Sequence, residues 1–235
     1  MGGSDPTREV VSELADIGIT AFTTTRAAGS FALRSTEAAG EVWDRWLSLT
    51  EGLAPAAERL VFAHQVHGVG VVDHQPGWRG ILRVPDADGH LSHDAPTAMA
   101  VTLADCVPVF IGHPSGAAAI LHSGWKGTAG AITTVAIALL ESRGFRASDL
   151  RVHCGPAICG RCYEVGPDVF LALTGKRVAD ATPVDLRALI LAQAEAAGVR
   201  ELSSTSSCTR CDNDRFFSHR CGDEGRQLGV VVSHR

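Results

Sequence analysis

At 235 residues, with 45% hydrophobic and 20% charged side chains, the chain is long enough to bury a substantial core as one domain or two modest ones. A formal net charge of -5 argues against a dedicated nucleic-acid binder, which carries a basic stripe or excess. No segment approaches the roughly 18 apolar residues of a membrane span.

The start, MGGSDPTREV, lacks the charged and apolar segments of a secretory signal, so cytoplasmic residence is the expectation. Seven cysteines stand at 106, 154, 159, 162, 208, 211 and 221. An odd number in a reducing compartment reads as thiols or thiolate ligands rather than a disulfide framework.

Residues 1–18 read as a loose entry. Ile19 to Thr25 reads as a strand leading through Arg26 into a Gly/Ser turn. Val42, Trp46 and Leu49 recur at helical spacing, which predicts a helix over 41–53. Arg59 to His64 reads as a short strand rising to Gln65-Val66-His67-Gly68, and Val71-Val72 begins another. Residues 73–96, rich in Gly, Pro, Asp and His, read as loops around a strand at 81–84.

Met99 to Ile111 is a nearly continuous apolar run interrupted by Asp105, Cys106 and Pro108. Pro108 lacks a ladder donor, so the strand is expected to bend or reach an edge near the cysteine. Gly116 to Leu121 is a further buried strand ending at His122. SGWKGTAG then turns into a helix over 128–142, with Ile132, Val135, Ala136 and Leu139 facing the sheet.

Residues 151–154 read as a strand. Thr182 as N-cap, Pro183 at N1 and Asp185 in the first turn predict a helix running to about Ala197 and stopped by Gly198. Gln227 to Ser233 closes the chain as a strand. Without repeats or linkers, the pattern favours a single α+β or α/β domain.

His67, Cys106 and His122 share one property: each sits where a strand hands over to a loop. Three such ligands with one open position suit a catalytic zinc. Taken singly, a histidine at a strand end is more often a satisfied polar residue than a ligand, and a cysteine in an apolar run more often core, so pattern supplies candidates without selecting among them.

The ordered set AHQVHG (63–68), LADCVP (103–108), LHSGWKG (121–127), GPAICGRCYEVG (155–166), CTRCDNDRFFSHR (208–220) and GRQLG (225–229) resembles the YfiH/laccase-domain family of purine nucleoside phosphorylases. The resemblance implies a single α+β domain over 19–235, with mixed β-sheets layered with helices in a YfiH-like (cysteine-hydrolase-like) fold. It also implies zinc held by His67, Cys106 and His122, which double as the catalytic residues. The older laccase label implies copper and polyphenol oxidation. This chain has no His-rich set for several coppers, and its ligands suit zinc better.

The implied reaction is phosphorolysis of adenosine, inosine and S-methyl-5′-thioadenosine to a free base and ribose 1-phosphate, with adenosine deamination as a side activity. Its partners are then a small purine nucleoside and phosphate, with neither nucleic acid nor membrane, in a monomer or weak homodimer. Lys126 and the turn amides around it make a candidate phosphate seat, although the family pattern carries arginine there and lysine lacks its planar fork. Arg26, Arg220 and Arg226 are further anion-binding candidates, and Glu164 is a candidate for a ribose hydroxyl or a ligand histidine. Trp125 and Phe217 are candidates to stack on a purine. Strand alternation points Asp105 away from Cys106 unless the chain bends there.

Two further readings stay open. Cys106 could be the nucleophile of a cysteine hydrolase or amidase, with His67 or His122 as base. Separately, Cys159/Cys162 and Cys208/Cys211 are two CxxC pairs that could hold a second, structural metal.

Overall fold

The computed structural model describes residues 5–234. In chain order the first half comprises β1 (Arg8–Val10), α1 (Ser12–Ala15), β2 (Thr20–Thr24), α2 (Ala39–Leu53), β3 (Arg59–Ala63), β4 (Val71–Asp73), β5 (Gly80–Val84) and β6 (Gly89–Ser92). The middle comprises β7 (Thr97–Leu103), β8 (Val107–Gly112), β9 (Ala118–Ser123), α3 (Trp125–Ala129), α4 (Ile132–Ser142) and β10 (Arg151–Cys154). Then follow β11 (Glu164–Val165), α5 (Pro167–Thr174), β12 (Thr182–Pro183), α6 (Leu186–Ala196), β13 (Glu201–Ser204) and β14 (Gln227–Ser233).

Two six-stranded mixed sheets carry the fold, in the orders β1-β2-β14-β7-β3-β5 and β13-β10-β8-β9-β6-β4. The alternation of side chains along each strand shows how they stack. Met99, Val101 and Leu103 of β7 meet Phe110 of β8 and Ala118 and Ile120 of β9 in a core between the sheets. The alternate residues Ala98 and Ala100 turn outward onto α2, joining Trp46, Phe62 and Val230. Val107, Val109, Ile111, Ala119 and Leu121 face α4 and α6 instead. The result is four layers, with α2 outside the first sheet and α3 to α6 outside the second.

This layering explains the unbroken apolar run at 99–111. Strands buried on both faces lose the polar alternation of a half-exposed sheet. The run is two strands in different sheets, and the interruption at Asp105-Cys106 is the crossing between them. Asp105 takes φ +79 there, so the expected bend is present. Pro108 lies inside β8, where its carbonyl accepts from Gly155 N at 3.0 Å. Its nitrogen faces the same side, just past the last ladder pair of β10 at Cys154↔Val109.

On the outer face, Trp46 stacks on Phe62 with centroids 4.4 Å apart and meets Phe31 edge-on at 5.5 Å. Its indole N–H donates to the Phe31 carbonyl, so the fully buried ring leaves no polar atom unserved.

Several elements differ from expectation. The described part of the entry is ordered: β1 pairs antiparallel with β2, and α1 buries Leu14. Residues 89–92 form β6, buried throughout, although Gly, His and Ser gave them the look of a loop. The helix predicted at 128–142 is two: α3 begins at Trp125, and the chain breaks at Gly130-Ala131, where Ala131 adopts φ +56. Val135 faces solvent, while Ile137 and Leu140 pack in its place.

The helix predicted from Thr182 begins at Leu186. Its N-cap is Asp185, whose carboxylate accepts from Ala188 N at 3.2 Å. Thr182-Pro183 pair instead with Glu164-Val165 in a two-stranded ribbon, an edge position that tolerates proline. The stop at Gly198 is as expected, with φ +98.

Candidate active site

Three parts of the fold meet at one end of the sandwich. β3 runs into a loop carrying His67, the β7–β8 crossing carries Cys106, and β9 carries His122 one residue before its end. One ligand atom from each lies within 4.8 Å of the others. The His67 and His122 rings sit edge to face with centroids 4.8 Å apart. The β8–β9 register, Val107↔Ser123, extends to place Cys106 opposite Gly124. A Cβ on Gly124 would stand 2.8 Å from Cys106 Sγ, so the glycine keeps the sulfur's surroundings clear.

Asp88, just before β6 and wholly buried, organises the group. Its carboxylate accepts from the amides of Val66 (3.2 Å), His67 (2.9 Å) and Gly68 (2.7 Å). It also accepts from His122 Nδ1 at 2.8 Å, which leaves His122 Nε2 free as a ligand. His67 has φ +59, a left-handed conformation that costs a non-glycine residue about 1–3 kcal/mol. The three amide bonds to Asp88 hold that loop in place. Burial would raise the Asp88 carboxyl, but His122 and the loop amides outweigh it and hold the group below the usual carboxylate range.

The same geometry sets the charge state of the metal-free pair. Burial pushes the Cys106 thiol up, yet His122 and His67 beside it bring it down to about 6. Burial pushes His122 down, but Cys106 and Asp88 raise it to about 9. Cys106 is thus a thiolate at neutral pH, the form a metal requires. One thiolate and two imidazoles, one of them steered from behind by a carboxylate, fit a zinc-type ion with an open position.

A cavity of about 460 Å³ opens beside these three residues. Its lining includes all three, together with the buried Phe31, Trp46 and Phe62 and the more exposed Arg34, His64, Arg83, His219, Glu224 and Arg226. Arg34 Nη2 lies 3.2 Å from His64 Nε2, and neither Arg34 nor Arg83 has a carboxylate partner among the described residues. Gln65 lies in the same wall, bridging to Thr102 through bonds of 2.7–2.9 Å.

The other residues singled out from sequence divide. Arg226 lines the cavity, although its Nη1 is committed to the carbonyls of residues 223 to 225. Arg26, Lys126, Glu164 and Arg220 are not among the lining residues. Arg26 is tied to Asp223 at 2.7 Å and to two carbonyls, and lies over the Phe217 ring. Lys126 is exposed, its ammonium 5.6 Å from the Trp125 ring. Arg220 lies over Tyr163 and donates to the Glu164 carbonyl at 3.0 Å.

Trp125 packs against the helix-side core and Phe217 is buried beneath Arg26. Asp105 points away from Cys106 despite the bend, accepting from Thr209 Oγ1 (2.6 Å) and Arg220 N (2.8 Å). Asp88, Arg34, His64 and Arg83 were invisible as site residues. Three of them lie in segments read as loops or strand, where only the register between distant strands reveals their role.

Comparison with known proteins gives one consistent result. Residues 23–234 match the family model described as multi-copper polyphenol oxidoreductase laccase. A purine nucleoside phosphorylase of Streptomyces coelicolor is 34% identical over 188 residues, covering 77% of this chain and 76% of that protein. The purine nucleoside phosphorylase YlmD of Geobacillus stearothermophilus is 34% identical over 206 residues, covering 78% and 75%. The crystal structure of YlmD superposes with a TM-score of 0.85 at 28% identity, covering 96% of this chain and 94% of that one. A Bacillus licheniformis protein, YfiH, shares the fold at TM-score 0.86 and 23% identity, covering 97% of each chain.

Proposed function

The chain belongs to the YfiH/laccase-domain family of purine nucleoside phosphorylases, and on that premise we propose that it cleaves purine nucleosides with phosphate at the cavity beside His67, Cys106 and His122. The observation that carries the reading is the convergence of one thiolate and two imidazoles on the wall of a cavity large enough for a nucleoside. Zinc bound there would supply Lewis acidity to whichever oxygen or nitrogen reaches its open position.

The chain's own residues offer a surface for the purine and a site for the phosphate. Phe31 and Phe62 offer an apolar wall to a purine, and the Gln65 amide is locked against Thr102 beside them. Arg34 and Arg83, exposed and without carboxylate partners, give the cavity the positive charge that a phosphate needs near the anomeric carbon. Lys126 remains the alternative seat. Arg34→Ala or Arg83→Ala is expected to raise the KM for phosphate about tenfold, the effect of losing roughly one charge-assisted hydrogen bond, with Lys126→Ala moving it far less. The reverse pattern would place the phosphate on the Trp125–Lys126 turn.

Product analysis tests the reaction itself. Adenosine, inosine and S-methyl-5′-thioadenosine are expected to yield free base and ribose 1-phosphate only when phosphate is present. Inosine formed from adenosine without phosphate would mark the deaminase side activity. Turnover of neither kind by metal-loaded protein would sink the substrate assignment.

The Cys106–His122 ion pair favours one second reading, a cysteine hydrolase with Cys106 as nucleophile. Metal-free protein that remains active and is stopped by alkylation of Cys106 would establish it.

A further inference from the structure

Away from the cavity, two Cys-x-x-Cys turns meet, Cys159 to Cys162 after β10 and Cys208 to Cys211 after β13. β10 and β13 are parallel neighbours paired up to Cys154↔Ser204, so their continuations leave the sheet side by side. Ala157 and Cys208 extend the pairing as an isolated bridge, and Thr209 N donates to the Ala157 carbonyl at 3.2 Å. Residues far apart in sequence thereby bring four Sγ atoms within 4.8 Å of one another. All four cysteines are free, and the Cys162 and Cys211 sulfurs lie 3.5 Å apart, far beyond a disulfide bond of about 2.05 Å.

We propose that Cys159, Cys162, Cys208 and Cys211 form a second metal site, a closed four-thiolate zinc centre that fastens the segment after β10 to the segment after β13. Four sulfurs around a tetrahedral zinc at about 2.3 Å lie about 3.8 Å from one another, a spacing this cluster reaches with small movements. Cys208 Sγ already accepts from the amides of Cys159 (3.2 Å) and Cys211 (3.5 Å), bonds that favour a thiolate and orient it. Each cysteine gives its proton to solvent on binding, so loading involves no redox step. Four thiolates on Zn²⁺ leave two negative charges, and each turn carries an arginine before its second cysteine, Arg161 and Arg210. Arg210 Nη1 donates to the Cys162 carbonyl at 3.2 Å, which keeps it beside the cluster.

With all four positions taken by sulfur, such a centre has no room for substrate. Its role is to fix position. Thr209 inside one turn donates to the Asp105 carboxylate at 2.6 Å, and Ile158 beside the other donates to the Asp105 carbonyl at 3.0 Å. Asp105 immediately precedes Cys106, so the clamp holds the crossing that presents the cavity's thiolate.

Elemental analysis of the purified full chain tests this. Wild-type protein is expected to carry two zinc ions per chain, and Cys106→Ala and the double variant Cys162→Ser/Cys211→Ser one each. Cobalt-substituted Cys106→Ala is expected to show the intense thiolate-to-metal absorption of a four-sulfur site, absent from the double variant. If the double variant does not fold, Cys106→Ala decides alone: one retained ion with that absorption upholds the site, and none overturns it. A single zinc in the wild type that survives the double substitution would also overturn it. So would an intact mass lighter by two hydrogens per bond, which would mark disulfides.

Discussion

The triad at 67, 106 and 122 and the cysteine cluster at 159–162 and 208–211 are built from overlapping donor types and do opposite things with them. Each gathers ligand atoms within 4.8 Å. The triad mixes nitrogen with sulfur, stops at three, and forms part of the wall of a cavity of about 460 Å³. The cluster uses four sulfurs and lies between two loops that leave one sheet end in parallel. Donor count and access, rather than the presence of cysteine, separate a site open to chemistry from one suited to holding chain segments together. The supporting groups differ accordingly. A buried carboxylate steers a triad imidazole, whereas backbone amides serve the cluster's sulfur.

That contrast is sharpest at Asp88. Asp88→Asn keeps the shape but removes the charge, and the loop amides and His122 Nδ1 then compete for one oxygen. The expected result is a loss of about 10–100-fold in affinity for the triad metal, read by competition with a chelator. Metal held by the four cysteines should not change. Equal loss from both sites would show that Asp88 supports the fold generally.

A second probe uses the ionisation of the metal-free triad. Cys106, depressed to about 6, contributes stability present in full above its unfolded value and lost as pH falls through 6. His122, raised to about 9, contributes stability present in full below its unfolded value and lost as pH rises through 9. Metal-free protein should therefore lose this contribution below about pH 6 and above about pH 9. Iodoacetamide should modify Cys106 with a midpoint near pH 6. A midpoint at the ordinary thiol value of about 8.5 would show that the His122 ion pair does not form.

The smallest expected effect lies on the cluster's side. Gly160, inside the first cysteine turn, packs so closely on Asp185 that a Cβ would stand 2.9 Å from the Asp185 side chain. Asp185→Ala removes the N-cap of α6 and should cost about 1 kcal/mol in denaturant unfolding, with phosphorolysis unchanged. Thr182→Ala, at the cap position suggested by sequence, should cost less.

The helix cap shows why parts of the fold were legible and others were not. Thr182-Pro183-Val184-Asp185 contains two acceptable caps, and local chemistry cannot choose between them. The choice falls to the ribbon pairing Thr182-Pro183 with Glu164-Val165, a contact between segments far apart in sequence. β7 and β8, buried on both faces, were readable as one apolar run, and Asp105-Cys106 marked the crossing inside it, whereas Pro108 lies within β8.

β6 escaped because Gly89, His90 and Ser92 are buried through pairing with β9 and β4 rather than through hydrophobicity. Asp88 escaped with it. A lone aspartate before a short strand gains meaning only when the β6–β9 register sets it against His122. The three candidate ligands were nameable through the ordered family motifs, whereas Arg34 and Arg83, which also line the cavity, belong to no quoted motif.

Stepwise removal of metal from the wild-type protein, with phosphorolysis and bound zinc measured on the same samples, tests the division of labour most directly. A mild chelator should strip the open triad first, so activity should fall to zero while one zinc per chain remains, and should return when one equivalent is restored. Activity that persists after the triad zinc has gone, or that tracks the ion held by four cysteines, would contradict the assignment of the chemistry to His67, Cys106 and His122.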